Sequence, residues 1–259
     1  MHENAIRISI FLIVFFIVAV WELIAPRRAL IANKTRRWFT NISMTTINRG
    51  LMVITFPVLP VGLAVILKEH GWGLFNILDI PYSLKVILSF IILDFSVYIQ
   101  HVLMHYLPLF WRLHRMHHTD LDLDVTTGNR FHPIEIALSM CLKLSVVALT
   151  GAPALSVILF EIILNGATQF NHGNIFIPEK VDSYLRLVLV TPDMHRVHHS
   201  IIPKETNSNF GFALPWWDRL LGTYRALPEG GHTAMAIGLK EYRDPDKLML
   251  WHLLMNPFR

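Results

Sequence analysis

Ten of the fourteen histidines lie between His101 and His199, and their spacing is that of metal ligands. His101 and His105 form His-x-x-x-His, in which a separation of four on a helix turns both rings to one face, within reach of one ion. His114, His117 and His118 form His-x-x-His-His, where the i, i+3 and i+4 relations gather the rings again. The adjacent pair diverges by about 100° on a helix, which suits His117 and His118 to two different ions. The same pattern recurs at His195, His198 and His199, just after Thr191-Pro192-Asp193, a helix start with Thr191 as N-cap and Pro192 in the first turn. His132, in Arg130-Phe131-His132-Pro133, and His172, in Asn171-His172-Gly173, each add an imidazole at the mouth of an apolar segment. A lone histidine is more often an ordinary core or surface residue, and His2, His70, His232 and His252 are read that way. Three spaced clusters and two mouth histidines point instead to a two-metal site. The single cysteine, Cys141, excludes an internal disulfide and thiolate-based zinc or iron–sulfur sites. Imidazole suits iron, zinc, copper or nickel, so ligand type leaves the metal open.

The elements that must position these rings follow from hydropathy. The chain of 259 residues is 53% hydrophobic and 16% charged, against roughly 25% charged for an average soluble domain. Residues 8–25 form a first span, followed by a basic cluster of Arg27, Arg28, Lys34, Arg36, Arg37 and Arg49 that predicts a cytoplasmic loop. Residues 51–67 cross outward with kinks at Pro57 and Pro60, 68–82 turn on the far side, and 83–105 return. Pro108 interrupts that helix before a short surface helix resumes. Residues 134–150 and 154–170 pair around Gly151-Ala152-Pro153, and Lys143 within the first of them marks either a paired charge or a re-entrant hairpin. Residues 246–255 suit the membrane interface. The expected fold is all-α: a multi-pass membrane helical protein whose cytoplasmic helical cap holds a histidine-rich dimetal site. Residues 1–50 are expected as span and basic loop, and 51–259 as the catalytic domain, with membrane hairpins 51–105 and 134–170 and cap 106–133 and 171–259. The net charge of +4 mostly flanks apolar segments, which argues for loop retention and against nucleic-acid binding.

At these residues the chain resembles the fatty acid hydroxylase and sterol desaturase superfamily of membrane di-iron oxygenases. The resemblance rests on Asp94-x-x-x-Tyr98-x-x-His101-x-x-x-His105, His114-x-x-His117-His118, Arg130-Phe131-His132-Pro133, Asn171-His172 and His195-x-x-His198-His199. It continues in Asn209-Phe210-Gly211 and in Trp217-Asp218-Arg219-Leu220-Leu221-Gly222-Thr223-Tyr224. One departure is Val102, where many relatives carry arginine. The resemblance implies two iron ions held by His101, His105, His114, His117, His118, His132, His172, His195, His198 and His199, activating O2 to hydroxylate or desaturate a lipid. Zinc can occupy the same imidazoles in purified protein, but it is redox-inert and cannot drive C–H oxidation.

Asp94 is the carboxylate best placed to orient a ligand imidazole, with Asp193 and Asp120 weaker ones. Asp94 bonded to Tyr98, Asp193 complementing a helix N-terminus, and Trp217-Asp218-Arg219 as a structural corner are the plainer readings beside them. Two other functions fit a histidine-rich membrane chain, a metal transporter and a zinc-dependent membrane hydrolase. The first would place its ligands near mid-membrane, and the second needs only three ligands and a carboxylate base. No Gly-x-Gly-x-x-Gly follows a strand and no iron–sulfur ligand set exists, so electrons are expected from a separate ferredoxin or cytochrome b5-type protein with its reductase. Lys204 and Arg225 are candidates for steering such a donor. The protein is expected to be integral to a membrane, the plasma or inner membrane in a bacterium, with its active site on the cytoplasmic side.

Overall fold

The computed structural model describes residues 2–259, with side chains from Ala5 onward. Fourteen α-helices run in order among the described residues: α1 (His2–Ile24), α2 (Lys34–Thr55), α3 (Pro60–Glu69), α4 (Leu74–Ile77), α5 (Tyr82–Tyr106), α6 (Pro108–His118), α7 (Pro133–Thr150) and α8 (Ala154–His172) form the larger part. The shorter α9 (Glu179–Leu185), α10 (Pro192–His198), α11 (Pro203–Thr206), α12 (Trp216–Leu220), α13 (Gly231–Ala234) and α14 (Leu250–Met255) complete it. Among the described residues five stretches are long and apolar enough to cross a bilayer: Ala5–Ile24, Lys34–Ile77, Tyr82–Tyr106, Pro133–Thr150 and Ala154–His172. This is an all-helical membrane protein.

Local chemistry sets the boundaries. Pro60 opens α3 after the break at residues 56–59, which is the kink expected between Pro57 and Pro60. Leu107 separates α5 from α6, and Pro108 starts the second helix in its first turn. Gly151 ends α7 in the left-handed region at φ 62°, and Gly73, also at positive φ, lies against it so closely that a side chain on either would strike the other's backbone. One apolar core joins the membrane helices through Val61, Ala64, Leu93, Val97, Val147 and Phe160. Outer faces remain apolar, as lipid-facing surfaces are: Phe16, Ile54, Ile87 and Leu149 are all exposed.

Two expectations are revised. The basic loop expected through Arg49 ends early, because α2 begins at Lys34 with Asn33 as its cap, and the boundary expected at residue 50 falls inside that helix. Arg37 is not a loop cation but a buried one. Its guanidinium donates to Asp120 at 2.7 and 2.9 Å, to Asp124 at 2.6 Å and to the Asp122 carbonyl at 2.9 Å. Lys143 resolves as a paired charge: Glu161 on α8 accepts from it at 3.1 Å and also bonds Arg7 on α1. An intramembrane carboxylate held by two cations ties three helices together without leaving a charge bare. Residues 246–255 pack Leu248 and Leu253 against Met44 and Met116 and leave Trp251 exposed.

Removing one member of a buried ion cluster strands the others. Arg37→Met is therefore expected to lower stability by about 3–5 kcal/mol, read as a fall in melting temperature in detergent. Arg37→Lys keeps the charge but loses the fork and should fall between the two. Melting of Arg37→Met at the parent temperature would contradict this role.

Candidate metal centre

Nine of the ten expected histidines meet in one buried place, and they divide into two groups. His101, His105, His114, His118 and His198 form the first, and His117, His172, His195 and His199 the second; within each, one ring nitrogen per residue lies within 4.8 Å of all the others. The adjacent pair His117 and His118 is split between the groups, as helical divergence predicts. His198 and His199 divide in the same way, and His195, one turn earlier, joins His199. Among the described residues neither group contains a cysteine or carboxylate.

Six of the nine rings are aimed from behind. His101 donates its Nδ1–H to the Phe210 carbonyl at 2.7 Å, His172 to Thr168 O at 2.7 Å, His198 to Ser208 O at 2.7 Å and His117 to Arg130 O at 3.2 Å. His105 donates to the Asn207 side chain at 3.1 Å, and His114 to the Glu135 carboxylate at 2.6 Å. With Nδ1 protonated, Nε2 is left as a lone pair in all six. Yet Nε2 of His101 stands 3.0 Å from Nε2 of His114, and Nε2 of His117 stands 3.1 Å from Nε2 of His172. Neither pair has a proton to share, so lone pair faces lone pair, an arrangement that a bound cation turns from repulsive to attractive. Nε2 of His105 and of His198 and both nitrogens of His199 are buried with no protein partner. The residues present fit a metal in each group.

Burial, and after it the neighbouring imidazoles, holds His117, His118, His195, His198 and His199 well below their ordinary pKa of 6.5. They are neutral at pH 7, the form that binds metal. Aromatic rings close the site: Phe131 stacks on His117 with centroids 4.4 Å apart, Phe212 lies 4.8 Å from His101, and Trp111 lies 5.0 Å from His105. Gly128 sits against the Thr168 carbonyl, and a Cβ there would come within 2.6 Å of the oxygen that orients His172.

The remaining expected site residues are elsewhere. His132 is not brought to either group; its Nδ1 accepts from Ile134 N at 3.2 Å as the cap of α7, and Nε2 bonds the Leu254 carbonyl. A histidine before Pro133 serves the helix start, which turns its ring away from the mouth. Asp94 accepts from the Trp217 indole at 2.7 Å rather than orienting a histidine. Asp193 pairs with Arg27 at 3.0 Å and with Arg196, so it too orients none of the nine rings. Asp218 makes the expected corner, accepting from the N–H groups of Phe210 and Gly211 at 2.8 Å each and so fixing the carbonyl that His101 uses.

Sequence reasoning missed Glu135 as the partner of His114. It lies three residues after His132 in the first turn of α7, where an acidic residue reads as ordinary helix-start chemistry. It also missed Arg130, whose carbonyl orients His117 while its buried guanidinium bonds Asn41 at 2.9 Å and Thr119 at 3.0 Å. Burial alone would raise the Asp120 carboxyl, but Arg37 and Arg130 beside it hold it well below the usual range.

Against known proteins, the family profile for fatty acid hydroxylases matches residues 86–223, more than half of the chain. An ornithine lipid hydroxylase of Rhizobium tropici is 29% identical over 234 residues, covering 85% of this chain and 67% of that protein. An alkylglycerol monooxygenase of Caenorhabditis elegans is 27% identical over 207 residues, covering 76% of this chain and 38% of its own. One from Danio rerio is 30% identical over 155 residues, covering 59% and 34%. The chain thus spans less than half the length of these monooxygenases. No solved structure matches it.

Purified protein is expected to bind two metal ions, and His118→Ala and His199→Ala each to lose binding mainly at one of the two groups. Metal analysis decides it; retention of both ions in both variants would overturn the ligand assignment. Glu135→Gln removes the charge behind His114 and should weaken metal affinity by about 10- to 100-fold. Competition with a chelator measures that loss.

Proposed function

The chain belongs to the fatty acid hydroxylase family, and from that premise we propose that it is a membrane-bound, O2-dependent oxidoreductase that hydroxylates a C–H bond of a lipid. Carrying this reading is the pair of histidine groups whose lone pairs converge without protons to share, built from the ends of the apolar helices α5 and α8 together with α6 and α10. Both kinds of relative are named for adding oxygen to a lipid, which favours hydroxylation over desaturation and an amphiphilic lipid as substrate. The relatives lend nothing to the transporter or hydrolase readings. Iron is the proposed metal, because when bound it supplies the O2 activation that C–H oxidation requires and that zinc lacks.

The chain's own residues do the remaining work. Backbone carbonyls of Phe210, Ser208, Thr168 and Arg130 hold four of the imidazoles in the tautomer that leaves Nε2 free for a metal. Glu135 adds a negative charge behind a site whose ligands bring none. Phe131, Phe210, Phe212 and Trp111 limit water, which protects a strongly oxidising site from side reactions. Hydroxylation takes one oxygen atom of O2 into product and reduces the other to water, which needs two electrons from outside the substrate. We assign their delivery to a separate ferredoxin or cytochrome b5-type protein docking near exposed Lys204. The metal centre is proposed to face the cytoplasm, on the same side as Arg27, Arg28 and Arg36.

Iron-loaded protein in lipid vesicles, supplied with a ferredoxin and its reductase under isotopically heavy O2, is expected to yield a lipid carrying one heavy oxygen. Ester or amide hydrolysis without O2 uptake would replace this reading with a hydrolase. Sustained product with NAD(P)H as the sole addition would remove the separate donor.

For sidedness, a Cys141→Ser background allows single reporters. Lys204→Cys should react with an impermeant thiol reagent only after cells are opened, and Glu69→Cys in intact cells. The reverse pattern would invert the topology.

A further inference from the structure

The polypeptide after α11 does not stay level with the metal centre. It descends along α5 in a ladder of contacts. Asn207 meets His105, Phe210 meets His101, the Thr223 hydroxyl lies 2.8 Å from that of Tyr98, and Trp217 reaches Asp94. Asp94 lies midway between Tyr82 and Tyr106, so Trp217 docks about 18 Å from either end of α5 at 1.5 Å per residue. Half of a hydrocarbon core is about 15 Å. Tyrosine at both ends of α5 matches the aromatic belts of a spanning helix. Phe95, Ile99 and Leu103 are exposed apolar residues on α5, so its lipid-facing surface extends past Asp94 toward the metal end.

What the descending segment shows outward is apolar. Leu220 is 74% exposed, with Trp216 and Leu221 exposed beside it, and a second strip before α10 adds Val188, 63% exposed, and Leu187. The two strips are one surface, because the Trp216 indole donates to the Leu187 carbonyl at 2.8 Å. Beneath that surface the buried charged groups are paired, with Asp182 Oδ1 and Arg186 Nε the atoms left without a partner. Asp218 accepts from two backbone N–H groups and from Thr223, and Arg186 bonds Asp182 and the Ala226 carbonyl. Arg219 is itself exposed, and its guanidinium donates to the Arg186 carbonyl at 3.1 Å and lies 4.0 Å over the Tyr224 ring. Non-helical backbone at membrane depth is tolerated where it packs on protein in this way.

We propose that residues 212–221, together with 184–188, form a re-entrant wedge that enters the bilayer alongside α5. It presents Leu187, Val188, Trp216, Leu220 and Leu221 to lipid acyl chains. The occupant is bilayer hydrocarbon because the patch continues the lipid-facing side of α5: exposed Phe95 packs on Trp217 with centroids 4.7 Å apart. The wedge also links that surface to the metal centre, since its first residue, Phe212, lies against His101. This inference rests on α5 spanning a membrane, and the test separates the two.

In a Cys141→Ser background, a nitroxide is attached singly at Leu220→Cys, Val188→Cys, Ile99→Cys and Lys204→Cys. The holoprotein is reconstituted in phosphatidylcholine vesicles, and metal content checks that each variant is folded. Collisions with O2, which concentrates in hydrocarbon, are compared with collisions with a water-soluble nickel chelate. At positions 220 and 188 the label is expected to lose contact with the chelate and favour O2, as at 99 and opposite to 204. Chelate access at 220 and 188 with lipid-like behaviour at 99 would overturn the wedge alone. Chelate access at 99 as well would overturn the membrane reading of α5 and the wedge with it. Dipolar broadening at 220 that vanishes on dilution with unlabelled protein would mean that a second copy covers the patch, and would also overturn it.

Discussion

Nine imidazoles crowded into a buried volume with ring nitrogens aimed at one another do not stay there by their own attraction. The rest of the molecule holds them. Six of them are fixed through Nδ1 by acceptors from five separate parts of the chain: Thr168 on α8, Glu135 on α7, Arg130 before it, Asn207 and Ser208 after α11, and Phe210 beyond. Four of these acceptors are backbone carbonyls, which cannot be removed by substitution but can be displaced by moving the loop that carries them. Gly128 and Gly211 matter for this reason. Each lies where a Cβ would push on a group that aims a ligand, Thr168 O in one case and the Asp218 carboxylate in the other.

A site built from neutral ligands leaves the charge of any bound cation to be balanced further out. Charged groups around this one are paired rather than exposed to the rings. Arg37 joins Asp120 and Asp124, while Arg27 and Arg196 join Asp193, which burial would raise but these guanidiniums hold down. Glu135 is the carboxylate that touches a ligand directly, and its second oxygen is buried without a partner. Glu22, from the end of α1, accepts from the N–H groups of Val125 and Asn174 at 2.7 and 2.9 Å, and so pins the first helix to the loops on either side of the second histidine group. The N-terminal helix is thereby part of the scaffold of the centre and not an appended anchor.

The expected organisation and the observed one differ where a short-range signal served a long-range purpose. Lys and Arg after the first span read as a topogenic loop, yet Arg37 turns inward because α2 starts at Lys34 and carries it over the Asp120–Asp124 loop. Asp94 in mid-helix read as a group for orienting a histidine two turns on. It instead anchors Trp217, because the intervening turns of α5 are already occupied by the descending loop.

Hydropathy and the proline and glycine positions determined the helical membrane architecture, and the i, i+3 and i+4 spacings determined which imidazoles share a helix face, because both are properties of neighbours along the chain. The spacing also foretold that His117 and His118 part company. Only the tertiary structure decided how the other rings divide, that His132 is a cap outside both groups, and that Glu135 stands behind His114. It alone showed that the chain after α11 runs down the face of α5. These outcomes depend on contacts spanning tens to more than a hundred residues, and many are made by backbone carbonyls. A carbonyl is the same at every position, so no pattern of side chains announces which ones will meet a ring.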